Sequence, residues 1–136
     1  MVTIAQNARY ELRYNPTKNR LYLRIIGFWP TVAAVPEYLA DWKEALALTK
    51  PGFTLVTDAR EMVIHPAEVR VLHEEAQKMI TAAGSLHTAE IVKAANVSEL
   101  QLDLLSKETG MPRSKFTAPD VAEAWLDELV ARSGRN

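Results

Sequence analysis

Phe53-Thr54-Leu55-Val56-Thr57-Asp58-Ala59-Arg60-Glu61-Met62-Val63-Ile64-His65-Pro66 is the stretch that decides the fold class. A short apolar run, Phe53 to Val56, passes into charged residues, then into Pro66 and a long helical pattern. A buried strand has this form when it carries polar groups to the rim of a sheet and turns into a crossover helix. The stretch predicts an α/β protein in which Phe53 to Thr57 is an interior strand flanked by helices.

Upstream, Tyr10, Leu12 and Tyr14 share one face of an alternating run, and Leu21, Leu23 and Ile25 share one face of another. Asn15-Pro-Thr-Lys-Asn19 between them is rich in turn formers, so the two runs make a β-hairpin. Arg13 and Arg24 then lie on the opposite, partly wet face. A helix follows within Thr31 to Thr49, with Val35, Tyr38, Leu39, Trp42, Ala45 and Leu46 on its apolar side. Pro36 leaves its start open, because proline is favoured only in a first turn. Phe28-Trp29 is read as core packing under this helix in preference to an exposed patch.

Downstream, a second helix starts near Pro66, with Val69, Leu72, His73, Ala76, Met79, Ile80 and Ala83 as its buried stripe. Glu74 and Lys78, one turn apart, can pair on its wet side. Gly84 is its stop, since the left-handed conformation costs glycine least. His87 to Ala94 reads as a further strand. Ser98 opens a third helix, with Gln101 completing a capping box and Val97 and Leu102 a hydrophobic staple. A last strand around Lys115-Phe116 leads to a final helix, for which Thr117 is the expected N-cap and Asp120 suits the dipole. Val121, Ala124, Trp125, Leu129 and Val130 are its expected apolar face. The expected architecture is a mixed sheet of about five strands, an antiparallel hairpin followed by parallel β-α units, packed with about four helices. The chain forms one domain with an ordered core over residues 10–130.

Composition bounds the function. The chain has 136 residues, 48% hydrophobic and 24% charged, with 16 basic and 17 acidic side chains and a net charge of −1. A basic stripe for nucleic acid is absent. There are no cysteines, which excludes disulfides, thiolate catalysis and cysteine-ligated zinc. Met1 to Tyr10 lacks the basic start and apolar run of a secretory signal. Ile25 to Val35 is too short to span a bilayer and contains Pro30. A cytoplasmic location is the expectation.

Open α/β sheets bind ligands or partners beyond the carboxyl ends of their strands. Asp58, Arg60, Glu61, His65, Asn96 and Ser98 are therefore expected to share one rim. Each also has a simpler role. Asp58 and Arg60 can pair with each other, His65 can satisfy a helix end, and His73 can be a hydrogen-bonded core residue. The spacing of His65, His73 and His87 carries no metal signature. No Ser-His-Asp arrangement has a nucleophile elbow, and no glycine-rich loop cradles phosphate. No catalytic residue, metal or cofactor is assigned.

Two segments carry a family resemblance. Leu55-Val-Thr-Asp58 as central strand, and Lys115-Phe116-Thr-Ala-Pro-Asp120-Val-Ala-Glu-Ala124-Trp125-Leu126 as last strand and helix, make the chain similar to the STAS superfamily, in particular its bacterial SpoIIAA-like branch. The likeness runs from about Tyr10 to Val130. It implies a non-enzymatic regulatory or interaction module that binds a protein partner or small ligand, with homodimer formation among the expectations. Relatives of this type are switched by phosphorylation of a serine at the start of the helix after the central strand. Here that position reads Ile64-His65-Pro66-Ala67, without a hydroxyl, so the resemblance does not carry the switch over. The alternative reading is a small enzyme or a ligand or lipid carrier using Asp58, Arg60 and His65, with His65 as acid or base and Arg60 holding an anion.

Overall fold

In the computed structural model, residues 1–93 and 111–134 are described. Six strands form one sheet in sequential order: β1 (Val2–Gln6), β2 (Tyr10–Asn15), β3 (Arg20–Gly27), β4 (Thr54–Met62), β5 (His87–Ile91) and β6 (Arg113–Phe116). The first three are antiparallel, and β3 to β6 are parallel. The predicted hairpin is β2–β3, with Leu12 opposite Leu23. The strand beyond the expected set is β1, outside the expected core range. Helices α1 (Tyr38–Leu48), α2 (Ala67–Ala82) and α3 (Pro119–Ser133) complete the described elements, with a 3₁₀ turn at Val32–Ala34. The third predicted helix, from Ser98, lies outside the described residues.

Strand alternation assigns the two faces. Leu12, Leu23, Leu55 and Ala59 join Tyr38, Trp42 and Ala45 of α1 and Val69, Ala76 and Ile80 of α2 in the main core. Val56, Ala89 and Ile91 point the other way and meet Ala122 and Leu126 of α3. β4 lies between β3 and β5, as the opening stretch predicts. Full burial of Leu55 gives about 2 kcal/mol of hydrophobic stabilisation.

Local chemistry sets the element ends. The 3₁₀ turn takes up the chain before Pro36, so regular α1 begins only at Tyr38. Gly84 follows α2 at φ 90°, and its N–H bonds to Thr81 O, the left-handed ending expected there. Glu74 and Lys78 pair at 3.2 Å on the outer side of α2.

Two expectations for the last helix are corrected. Its N-cap is Ala118, without a side-chain cap bond, because Pro119 takes the first helical position and Thr117 lies one residue further out. Its inward face is rotated by about one residue. Ala122 and Leu126 are buried, while Val121 is 53% exposed and Ala124 is exposed. Trp125 and Leu129 pack at the margin of this smaller core. The small Ala122 lets the helix lie close on the sheet, which decides the orientation against the larger valine.

Candidate functional site: a polar cleft beside α3

Among the described residues, α1 and α2 cover one face of the sheet, whereas on the other face α3 contacts β4, β5 and β6. The outward side chains of β2 and β3 are thus left beside α3 instead of beneath it. A cleft of about 190 Å³ results, with Tyr22, Val56 and Ile91 within it, Glu11, Arg13, Arg24, Asp58 and Arg60 around it, and Pro119 and Glu123 as the α3 wall. It widens outward to Glu61 and Lys93.

A β-bulge aims the charged end of β4 into this cleft. The β3–β4 register runs Arg24 opposite Asp58 and then Ile26 opposite Glu61. One residue of β3, Ile25, thus faces two of β4, Ala59 and Arg60. In a regular strand Ala59 and Glu61 would share the core face. The extra residue resets the alternation, so Ala59 and Met62 are both buried in the main core and Arg60 and Glu61 both serve the polar side.

Every carboxylate of the cleft has a cation. Arg60 grips Asp58 through Nε to Oδ1 at 3.0 Å and Nη2 to Oδ2 at 2.8 Å. Burial opposes ionisation of Asp58, but the side-chain and backbone donors of Arg60 outweigh it and hold the carboxyl below its ordinary range. Arg24 Nη2 donates to both oxygens of Glu61, at 2.9 and 2.7 Å. Glu11 pairs with Arg13 at 3.2 Å. Glu123 is bonded by Lys18 and by Arg20, whose side chain is 1% exposed. Arg20 also donates to Thr54 Oγ1 at 2.7 Å and Asp127 at 2.8 Å, locking β3 to α3. Burial and the neighbouring Glu123 push the Tyr22 hydroxyl up to about 12.

The expected rim divides. Asp58, Arg60 and Glu61 line one cleft. His65 does not join them: it is 2% exposed and stacks on Trp29, with ring centroids 4.7 Å apart. Its Nε2 lies 3.0 Å from Gly27 O and its Nδ1 2.8 Å from Nε2 of His73. The carbonyl can only accept, so His65 carries its proton on Nε2 and receives a bond from His73. Burial lowers the pKa of both rings, that of His73 to about 3 with a further push from His65. His73 is thus the hydrogen-bonded core residue expected. Asn96 and Ser98 lie outside the described residues.

Sequence reasoning missed Glu11, Tyr22, Lys93, Pro119 and Glu123 as parts of the cleft. The signal for Glu11 and Tyr22 was present in the alternation that set Arg13 and Arg24 opposite the apolar face. Phe28-Trp29 also divides: Trp29 is fully buried and donates Nε1 to Arg9 O at 3.0 Å, while Phe28 is 46% exposed.

Among the described residues no helix is long and apolar enough to cross a membrane, and no group of three His, Asp or Glu side chains could hold a metal ion. Comparison with protein-family models, curated proteins and solved structures gives no match to this chain.

Proposed function

We propose that the chain is a non-enzymatic interaction module of the STAS-like, SpoIIAA-like type that binds a protein partner or small ligand through the polar cleft beside α3. The observation that carries this reading is the separation of His65 from Asp58 and Arg60. The acid–base alternative would need His65 within reach of a molecule bound at the cleft. The histidine suggested for that role bonds through both ring nitrogens inside the core. What the cleft offers instead is a set of fixed charges on a rigid sheet, suited to recognition. Action as a homodimer in the cytoplasm belongs to the same reading.

Pro66 is the N-cap of α2 and Ala67 its first residue, so partner binding at this site would be controlled by something other than a phosphoserine there. Affinity capture from cell extract tests the proposal. Wild type is expected to retain a partner that an Arg24→Glu/Arg60→Glu double variant loses, both proteins having the same circular dichroism spectrum. A partner held equally by both, or no partner together with no stabilising compound in a thermal-shift library, contradicts it.

A further inference from the structure

The cleft has two chemistries. Inside, the half-buried Tyr22 supplies the apolar surface, over Val56 and Ile91, which are 6% and 2% exposed. Its outer part is charged and unbalanced: the described residues there are four cations, Arg13, Arg24, Arg60 and Lys93, and three carboxylates, Glu11, Asp58 and Glu61. Pairing locates the surplus. Glu11 takes Arg13, Glu61 takes Arg24 and Asp58 takes Arg60, which leaves exposed Lys93 without a carboxylate partner among the described residues. Glu123, the acid on the α3 wall, is already engaged by Lys18 and Arg20. Donors also remain on Arg60, because Asp58 occupies Nε and Nη2 and leaves Nη1.

Among the described residues, one surplus positive charge beside the Tyr22 ring points to a ligand. We propose that the cleft binds a monoanionic carboxylate with a short apolar tail, the tail resting against the Tyr22 ring and the carboxylate meeting Lys93 and Nη1 of Arg60. A phosphate dianion would overfill the charge and leave the apolar surface uncovered. The volume of about 190 Å³ lies below that of a drug-sized site, which limits the tail to a few carbons. Two sources present this chemistry, a free short-chain acid and the carboxyl terminus of a polypeptide ending in an apolar residue. The inference rests on the binding-module reading and names its ligand.

The test is titration of the full ¹⁵N-labelled chain, read by amide chemical shifts. The probes are hexanoate, hexanamide, inorganic phosphate, and a short peptide ending in leucine as free acid and as amide. At least one acid is expected to give saturable shifts centred on Val56 to Arg60 and Ile91 to Lys93. Its uncharged counterpart should bind at least about tenfold more weakly. Lys93→Glu, on an exposed side chain, should weaken the acid about tenfold without changing the melting temperature. Tighter binding of the peptide acid assigns a polypeptide terminus, and tighter binding of hexanoate assigns a free acid. The proposal is overturned if neither acid saturates, if the amides bind equally, if phosphate binds best, or if Lys93→Glu has no effect. Any of these results beside a cleft-dependent partner in the capture experiment removes the carboxylate and leaves the binding module standing.

Discussion

His65 and His73 are joined nitrogen to nitrogen at 2.8 Å, their rings within 12° of parallel, with Trp29 stacked on both. One carbonyl orders the chain of bonds: Gly27 O accepts from His65, and His65 accepts from His73. The bonds require the His65 ring to be neutral, burial keeps His73 neutral, and the pair links the loop after β4 to α2 and to the end of β3.

This neutrality makes stability depend on pH. Both histidines titrate below their ordinary value in the fold, His73 near 3, because burial penalises the charged ring. Their contribution is complete above the unfolded pKa of about 6.5 and is lost as pH falls from there toward the folded values. Urea unfolding should show a loss of up to about 1.4 kcal/mol per pH unit for each histidine that only the unfolded chain protonates. Half-buried His87, also lowered by burial, adds to the slope. Between pH 6.5 and 5 the His73→Phe variant should show a shallower slope than wild type. Equal slopes would mean that His73 is charged or exposed.

Adjacent residues 28 and 29 should respond oppositely to substitution. Trp29→Ala removes a fully buried indole and should cost roughly 3–5 kcal/mol. Phe28→Ser, at a side chain that is 46% exposed, should stay within about 0.5 kcal/mol. Chemical denaturation of the two variants measures both.

Arg20 is the buried cation that ties β3 to α3. Arg20→Ala removes its bonds to Thr54, Glu123 and Asp127 and should destabilise by roughly 2–3 kcal/mol. Lys18 still pairs with both carboxylates, which limits the loss. Amide hydrogen exchange should accelerate in α3 more than in α1.

The bulge in β4 should tolerate both substitution and removal of its extra residue. Arg60→Lys keeps the register and should be nearly neutral for stability, while losing the two-point grip on Asp58. Deleting Arg60 removes the extra residue and restores simple alternation with Glu61 still on the polar side and Met62 still in the core, so it should cost no more than about 1 kcal/mol. Thermal melts of the two variants check both, and a loss of several kcal/mol on deletion would contradict the register.

Much of this architecture was legible in the residues. Phe53 to Val56 named the interior strand, and the alternation around Leu12 and Leu23 named the hairpin. Gly84 named the end of α2. The sequence was less informative where tertiary packing overrides pattern. The strongest helical stripe after Pro119 ran through Val121, but alanine at 122 permits the closer approach and wins. At the site, position relative to the sheet found Asp58, Arg60 and Glu61. It misplaced His65, because the strand continues to Met62 and a buried partner, His73, draws the ring inward. Neither the bulge nor the limited reach of α3 has a local signal, so the cleft walls on β2 and β3 could not be assembled from spacing alone.

The most direct measurement of the central claim is site-specific photo-crosslinking in cells, with the reactive side chain at position 61 on the cleft rim or at position 71. Val71 is 56% exposed on α2, which packs against the other face of the sheet, and serves as the control. A partner bound in the cleft gives a defined adduct from position 61 that weakens when Arg60→Glu is added, and none from position 71. An adduct from position 71 alone, or one from position 61 that Arg60→Glu leaves unchanged, would contradict binding through the cleft.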